Sequence, residues 1–211
     1  MTHIALLGDS IIDNKAYVGR GPDVAEQVRK LVPNEWKVTR LAIDGAVTWS
    51  VLSQLEDLPT GTTHIVISAG GNDALGEAEV LDAPAHSVAD VLQQLAQIQD
   101  RFREDYASML DATAQRNLPT AVCTVYDPRY PDPLQRRMGS LGLSVINDVV
   151  TREAFSRNLS LIDLRVMFDA DEDFANPIEP SVQGGMKLAR AIHRFASRPH
   201  GETRVMANVP S

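Results

Sequence analysis

Ser10 stands in the run Gly8-Asp9-Ser10, directly after the apolar residues of His3–Leu7. A strand that ends on glycine and turns tightly can lift a serine hydroxyl to the rim of a sheet. The serine's own backbone N–H then points the same way. Serine and aspartate also cap helices, so Ser10 reads either as a nucleophile or as a helix cap. Two more polar runs come after short apolar segments, Asp44-Gly45 and Ala69-Gly70-Gly71-Asn72-Asp73. Gly45 has no side chain and can bring a bare N–H against a ligand, or it is a plain turn glycine. Asn72 carries an amide that can donate to a developing oxyanion, or it closes an Asx turn. Together the Ser10 N–H, the Gly45 N–H and the Asn72 side chain describe a three-donor oxyanion hole, where each donor is typically worth about 3 kcal/mol in the transition state. Asp9 and Asp73 are further candidates for contact with substrate, although Asp73 reads first as a residue that holds its loop.

These runs need elements to position them. Short apolar runs alternate with helical patterns: strands at His3–Leu7, Trp36–Ile43, His64–Ser68, Thr120–Val125 and Leu159–Leu164. Helical spacing covers Pro22–Leu31, Val47–Leu55, Ser87–Arg116, Leu141–Arg157 and Gln183–Ser197. In Ser87–Arg116 the apolar residues, from Val88, Val91 and Leu92 onward, step by three and four, and Ser87 with Asp90 resembles a capping box. The alternation implies a parallel five-stranded sheet covered on both faces. No internal boundary interrupts residues 1–197, and the polar stretch 198–211 is expected to be a loose tail. Ligands of such sheets bind beyond the carboxyl ends of the strands, where the polar runs lie. After the fourth strand comes Tyr126–Asp132, with Arg129 as a candidate for an anionic substrate group or a surface arginine. The insertion Ala74–Ala85 reads as a cover over the rim.

The chain has 211 residues, with 44% hydrophobic and 23% charged, and a formal net charge of −8. This fits one soluble domain and disfavours nucleic acid and anionic membranes, which attract basic patches. The single cysteine, Cys123, excludes an intrachain disulfide and sits in an apolar strand. There is no apolar run long enough to cross a bilayer. The opening MTHIALLGDS lacks the marks of a secretory leader, so a cytoplasmic location is the expectation. Asp169, Asp171, Glu172 and Asp173 lack the glycine and closing glutamate of a calcium loop, so neither a metal nor another cofactor is expected.

The runs IALLGDS, LAIDGAVT and ISAGGND, in this order, resemble the SGNH, or GDSL, hydrolase family over residues 3 to about 195. The resemblance implies a flavodoxin-like three-layer α/β/α fold and hydrolysis of ester bonds, in lipid, acyl-thioester or acetyl-sugar substrates. It implies Ser10 as nucleophile, with Gly45 and Asn72 in the oxyanion hole. The nucleophile elbow of the α/β-hydrolases, G-x-S-x-G in mid-chain, fits poorly.

The family's last block normally carries an Asp and, three residues on, a His. Here Asn176 and Glu179 occupy those places in NPIEPSVQGG. Of the five histidines, His3 and His64 begin strands, about 20 Å from the rim. His193 lies about 20 Å down the last helix, His200 is in the tail, and His86 flanks the long helix. Glu179 is therefore the candidate base, with Asn176 orienting its carboxylate through amide protons. A glutamate has an unperturbed pKa of about 4.3, which burial can raise. Two functions stay open: a hydrolase of small ester or acylated substrates working through an acyl-enzyme on Ser10, or an inactive relative that binds an acylated or anionic ligand.

Overall fold

The computed structural model describes residues 1–198 and 205–207. Its strands are β1 (His3–Gly8), β2 (Lys37–Arg40), β3 (His64–Ser68), β4 (Thr120–Cys123), β5 (Ser160–Ile162) and β6 (Val205–Met206). Its α-helices are α1 (Val24–Leu31), α2 (Ser50–Glu56), α3 (Gly71–Gly76), α4 (Val88–Ala114), α5 (Pro133–Ser156), α6 (Leu164–Met167) and α7 (Val182–Ala196). The strands run parallel in the order β2-β1-β3-β4-β5-β6. The alternation of strand and helix thus gives the expected α/β sandwich, with one strand more than the five expected. Val205 and Met206, in the stretch expected to be loose, pair with Leu161 and Ile162. They cover an edge of β5 that would otherwise offer unpaired backbone groups, and Met206 is buried. His200 lies outside the described residues.

Side chains alternate across the sheet with period two. Ile4, Leu6, Val66 and Ile162 pack under α1 and α7. Ala5, Leu7, Ile65, Ile67 and Val122 pack under α2, α4 and α5. No helix of the described residues is long and apolar enough to cross a membrane.

Two helices differ from their sequence patterns, and both differences bear on the site. The 27 residues of α4 span about 40 Å, whereas a five-residue strand such as β3 covers about 17 Å. The amino end of α4 therefore projects past the sheet. Val88, Val91 and Leu92, part of the apolar face in sequence, are exposed there, and burial in the core starts at Ile98. Ser87 accepts from the Asp90 N–H at 3.1 Å, while Asp90 reaches back to the N–H of His86 at 3.2 Å, one residue earlier than in a capping box. α5 begins at Pro133 rather than Leu141. Asp132 caps it by accepting from Gln135 N–H at 2.7 Å, and proline is suited to the first turn.

Candidate active site

β1 ends on Gly8, which has φ +121°, and a Cβ there would stand 1.7 Å from the Ser68 carbonyl oxygen. Any side chain would push β1 away from β3. Gln54 of α2 fastens the turn from both sides. Its Oε1 accepts from Gly8 N–H at 2.7 Å and its Nε2 donates to Gly8 C=O at 2.9 Å. Sequence reasoning does not single out Gln54, because one glutamine in a short helix carries no motif. Asp9 donates its N–H to the Ser68 carbonyl at 3.1 Å, and its carboxyl accepts from Ile11 N–H at 3.1 Å. Ser10 then sits at the carboxyl end of β1, almost fully buried.

The loops after β2 and β3 are joined to each other. Gly45 has φ +80°. Asn72 Nδ2 donates to the Ala46 carbonyl at 2.9 Å. An amide NH₂ has two hydrogens, so this bond fixes one and aims the other. The Asp73 carboxylate accepts from Thr48 N–H at 3.0 Å and from Thr48 Oγ1 at 3.1 Å. Asp73 thus ties the Gly45 loop to α3 rather than facing substrate.

Glu179 comes to Ser10 from the other end of the chain. Ser10 Oγ donates to Glu179 Oε1 at 3.1 Å. Glu179 is 6% exposed, and its Oε2 is buried with no partner among the described residues. The backbone around it is held closely. Pro177 C=O accepts from Arg129 N–H at 2.7 Å, and Glu179 C=O from Ala175 N–H at 2.8 Å. Ile178 C=O accepts from Tyr126 Oη at 2.7 Å, and Pro180 C=O from Asn14 Nδ2 at 3.1 Å. Four consecutive carbonyls are anchored, so the carboxylate is positioned by its backbone.

Asn176 does not play the part expected of it. Its Oδ1 accepts from the N–H groups of Ile178 and Glu179, each at 3.0 Å. It shapes the turn that presents Glu179 and does not touch the carboxylate. Arg129 also differs from expectation. Its Nη2 donates to Phe168 C=O at 3.3 Å, its Nε lies 3.5 Å from Asp171, and its guanidinium lies 5.3 Å from the Phe174 ring centroid. It is committed to the loop that carries Glu179. Asp169 and Asp173 pair with Lys187 at 2.5 and 2.7 Å. Among the described residues no group of three or more His, Cys, Asp or Glu is placed to hold a metal.

Burial dominates the electrostatics. It pushes the Glu179 carboxyl up to about 7, against the Ser10 hydrogen bond, and the Asp44 charge adds to the rise. Burial also pushes Asp9 up to about 8, opposed by the Ile11 N–H and helped by the charge of Glu179. Ionising either group here costs more than in water. Cys123 is buried in β4, and burial pushes its thiol well up, which is the opposite of a reactive cysteine.

Ser10, Asn72, Asp9 and Glu179 open onto a cavity of about 440 Å³. One wall is α3 with the turn Ala78–Asp82, the insertion read as a cover; the other is the early part of α5. Among the described residues no histidine lines it.

No curated protein matches the sequence. Several solved structures share the fold at low identity. An extracellular lipase from Streptomyces rimosus superposes with TM-score 0.66 at 18% identity, over 93% of this chain and 100% of the other. Phospholipase A1 from Streptomyces albidoflavus gives 0.67 at 16%, over 93% and 99%. A lipase/acylhydrolase from Enterococcus faecalis gives 0.63 at 23%, over 92% and 94%. The model of the GDSL-like lipase/acylhydrolase family matches residues 6–187, and the chain belongs to that family.

Proposed function

We propose that the chain hydrolyses esters through an acyl-enzyme on Ser10, with Glu179 as the base. Family membership supports an esterase, lipase or acylhydrolase activity of the GDSL type. The observation that carries the finer reading is the 3.1 Å contact from Ser10 Oγ to Glu179 Oε1. A carboxyl raised to about 7 is also a stronger base than a free one, and is poised where general bases work best at neutral pH.

In the first half-reaction Ser10 Oγ bonds to the ester carbonyl carbon while its proton passes to Glu179 Oε1. The carbonyl oxygen becomes an oxyanion, received by the N–H groups of Ser10 and Gly45 and the second amide hydrogen of Asn72. The carbon–oxygen bond to the alcohol breaks, and the alcohol leaves with the proton from Glu179. In the second half-reaction Glu179 takes a proton from water as the water oxygen bonds to the acyl carbon. Ser10 Oγ is then released with that proton. Asn176 takes no proton and acts through the turn.

A second reading, a protein that binds but does not turn over its ligand, is favoured by one observation. Nothing among the described residues orients Glu179 Oε2, whereas serine–base pairs are usually steadied by a third group. Release of p-nitrophenol from short acyl esters decides between them. The wild-type protein should exceed the buffer rate, Ser10→Ala should return to it, and a fluorophosphonate adduct should map to Ser10. Equal rates for the two proteins leave the binding reading.

A further inference from the structure

We infer that the cavity beside Ser10 seats an unbranched acyl chain, and that Gly142 sets the chain length it admits; this rests on the ester-hydrolase reading. The walls are alkyl: Val80, Leu95, Ile98, Met138, Leu143 and Ile146 come together from the cover turn, α4 and α5. Among the described residues no lysine, arginine or histidine lines the space, and its charged lining residues, Asp9, Glu77, Asp82 and Glu179, are all acidic. Glu77 is itself engaged by Arg101 at 2.9 Å. A neutral alkyl chain is therefore favoured over one carrying carboxylate or phosphate. The volume is about 440 Å³. A methylene is similar in size to a water, whose share of the liquid is about 30 Å³, so the volume corresponds to at most about fifteen carbons, and a chain of about eight to twelve lies within it with slack. Ser10 is buried at the cavity, while Asp82 and Gln135, which also line it, are exposed and mark its mouth.

The chain belongs to the acyl side of the ester for a chemical reason. The alcohol must leave in mid-cycle and water must take its place, so its path has to stay open. The acyl group remains on Ser10 through both half-reactions, and an apolar recess beside Ser10 suits the group that stays.

Gly142 lies in the middle of the α5 face that lines the cavity, between Met138 and Ile146. A Cβ at Gly142 meets nothing within 4 Å. Glycine inside a helix is less favourable than alanine, so local stability does not account for it, and the space it leaves does. Gly139, one turn away, is different: its Cβ would come within 2.8 Å of Pro128, so that glycine is needed for packing.

The test is a series of p-nitrophenyl esters from acetyl to palmitoyl. For wild type, kcat/KM should rise by roughly fourfold per methylene, the equivalent of about 0.8 kcal/mol per buried CH₂, and turn down beyond about twelve carbons. Gly142→Phe should lower the ratio of decanoyl to acetyl turnover by at least about 10²-fold, without lowering the melting temperature. Acetyl as the best substrate, or an unchanged ratio in Gly142→Phe, would overturn the inference and leave the hydrolase intact. Ethyl dodecanoate and dodecyl acetate separate the two sides of the ester. If Gly142→Phe impairs dodecyl acetate instead, the chain is the alcohol's and the inference falls. Should no ester be turned over, Ser10→Ala protein titrated with 2-dodecanone still decides the cavity. Binding that Gly142→Phe abolishes supports it, and no binding refutes it.

Discussion

Ser10 and Glu179 form a pair in which the base is an acid by ordinary standards. At its usual pKa a glutamate would scarcely draw a proton from an alcohol. Burial changes that by raising it to about 7, and Asn176 contributes two backbone hydrogen bonds to the turn rather than a second charge. The base must be ionised to act, so kcat/KM should fall as pH drops through about 7. Glu179→Gln keeps the shape and should lower kcat/KM by at least about 10²-fold; an unchanged pH–rate profile in that variant would assign the limb to another group. The two substituted positions also allow a constructive test. Glu179→His alone places an imidazole against Ser10 with no carboxylate behind it. Adding Asn176→Asp keeps an acceptor for the backbone N–H groups at 178 and 179 and supplies a second oxygen for the imidazolium. The double variant should therefore hydrolyse p-nitrophenyl acetate faster than Glu179→His. If the two are equally active, position 176 is purely a turn residue.

The elements that place these residues use one device repeatedly: a polar side chain that satisfies the backbone where a strand ends. Gln54 does so at Gly8. Asn147 does the same at the end of β4, donating to Val125 C=O and accepting from Val125 N–H, both at 2.8 Å. Tyr126 carries the principle to the base. Its ring stacks on Phe168 at 4.7 Å and its hydroxyl holds the Ile178 carbonyl, next to Glu179. Tyr126→Phe keeps the ring and leaves that carbonyl without its donor, which typically costs about 1–3 kcal/mol for a buried group. We expect kcat to fall about tenfold with KM nearly unchanged, measured on a short acyl ester; a change in KM alone would make Tyr126 a wall of the pocket and nothing more. None of these three residues is conspicuous in the sequence, because each acts on a partner distant in the chain. What is legible there is local. Continuous apolar runs mark the strands of the sheet, and Gly8-Asp9-Ser10, Gly45 and Asn72 come directly after them. The cavity is not legible, since Pro133 and Gly139 disguise the early turns of α5 and the exposed start of α4 looks apolar enough to be core. Spacing puts Asn176 beside Glu179 but does not say which groups it bonds, and it does not show that Arg129, read as a possible substrate contact, is taken up by Phe168, Asp171 and Phe174 instead.

At the scale of the whole molecule, the buried carboxyls set how stability responds to pH. Asp163 behaves as structural acids usually do. Burial works against its charge, but Arg165 at 2.7 and 2.5 Å and the Thr124 hydroxyl at 2.9 Å overcome it and lower its pKa. Its contribution is present above the ordinary carboxyl range and lost in acid. Asp9 and Glu179 have the opposite sign. Their folded values are raised to about 8 and about 7, so the native state holds protons that the unfolded chain gives up near pH 4. Their favourable contribution is complete below the unfolded values and disappears as pH rises through 7 and 8. These two groups should therefore make the protein most stable near pH 4 and cost it stability progressively from there up to about pH 8, where both are ionised in the folded state as well. Glu179→Gln removes one of the two groups. At pH 8.5 it should be more stable than wild type by about 1–2 kcal/mol, less than a fully enclosed carboxyl would give because the site opens to solvent. For a chain of this size that corresponds to roughly 2–8 °C in melting temperature. Near pH 4, where Glu179 is largely protonated in both states, the difference should nearly vanish. Calorimetric scans of both proteins from pH 4 to 9 make the comparison, and a variant less stable than wild type at pH 8.5 would mean that the ionised Glu179 strengthens the fold instead of straining it.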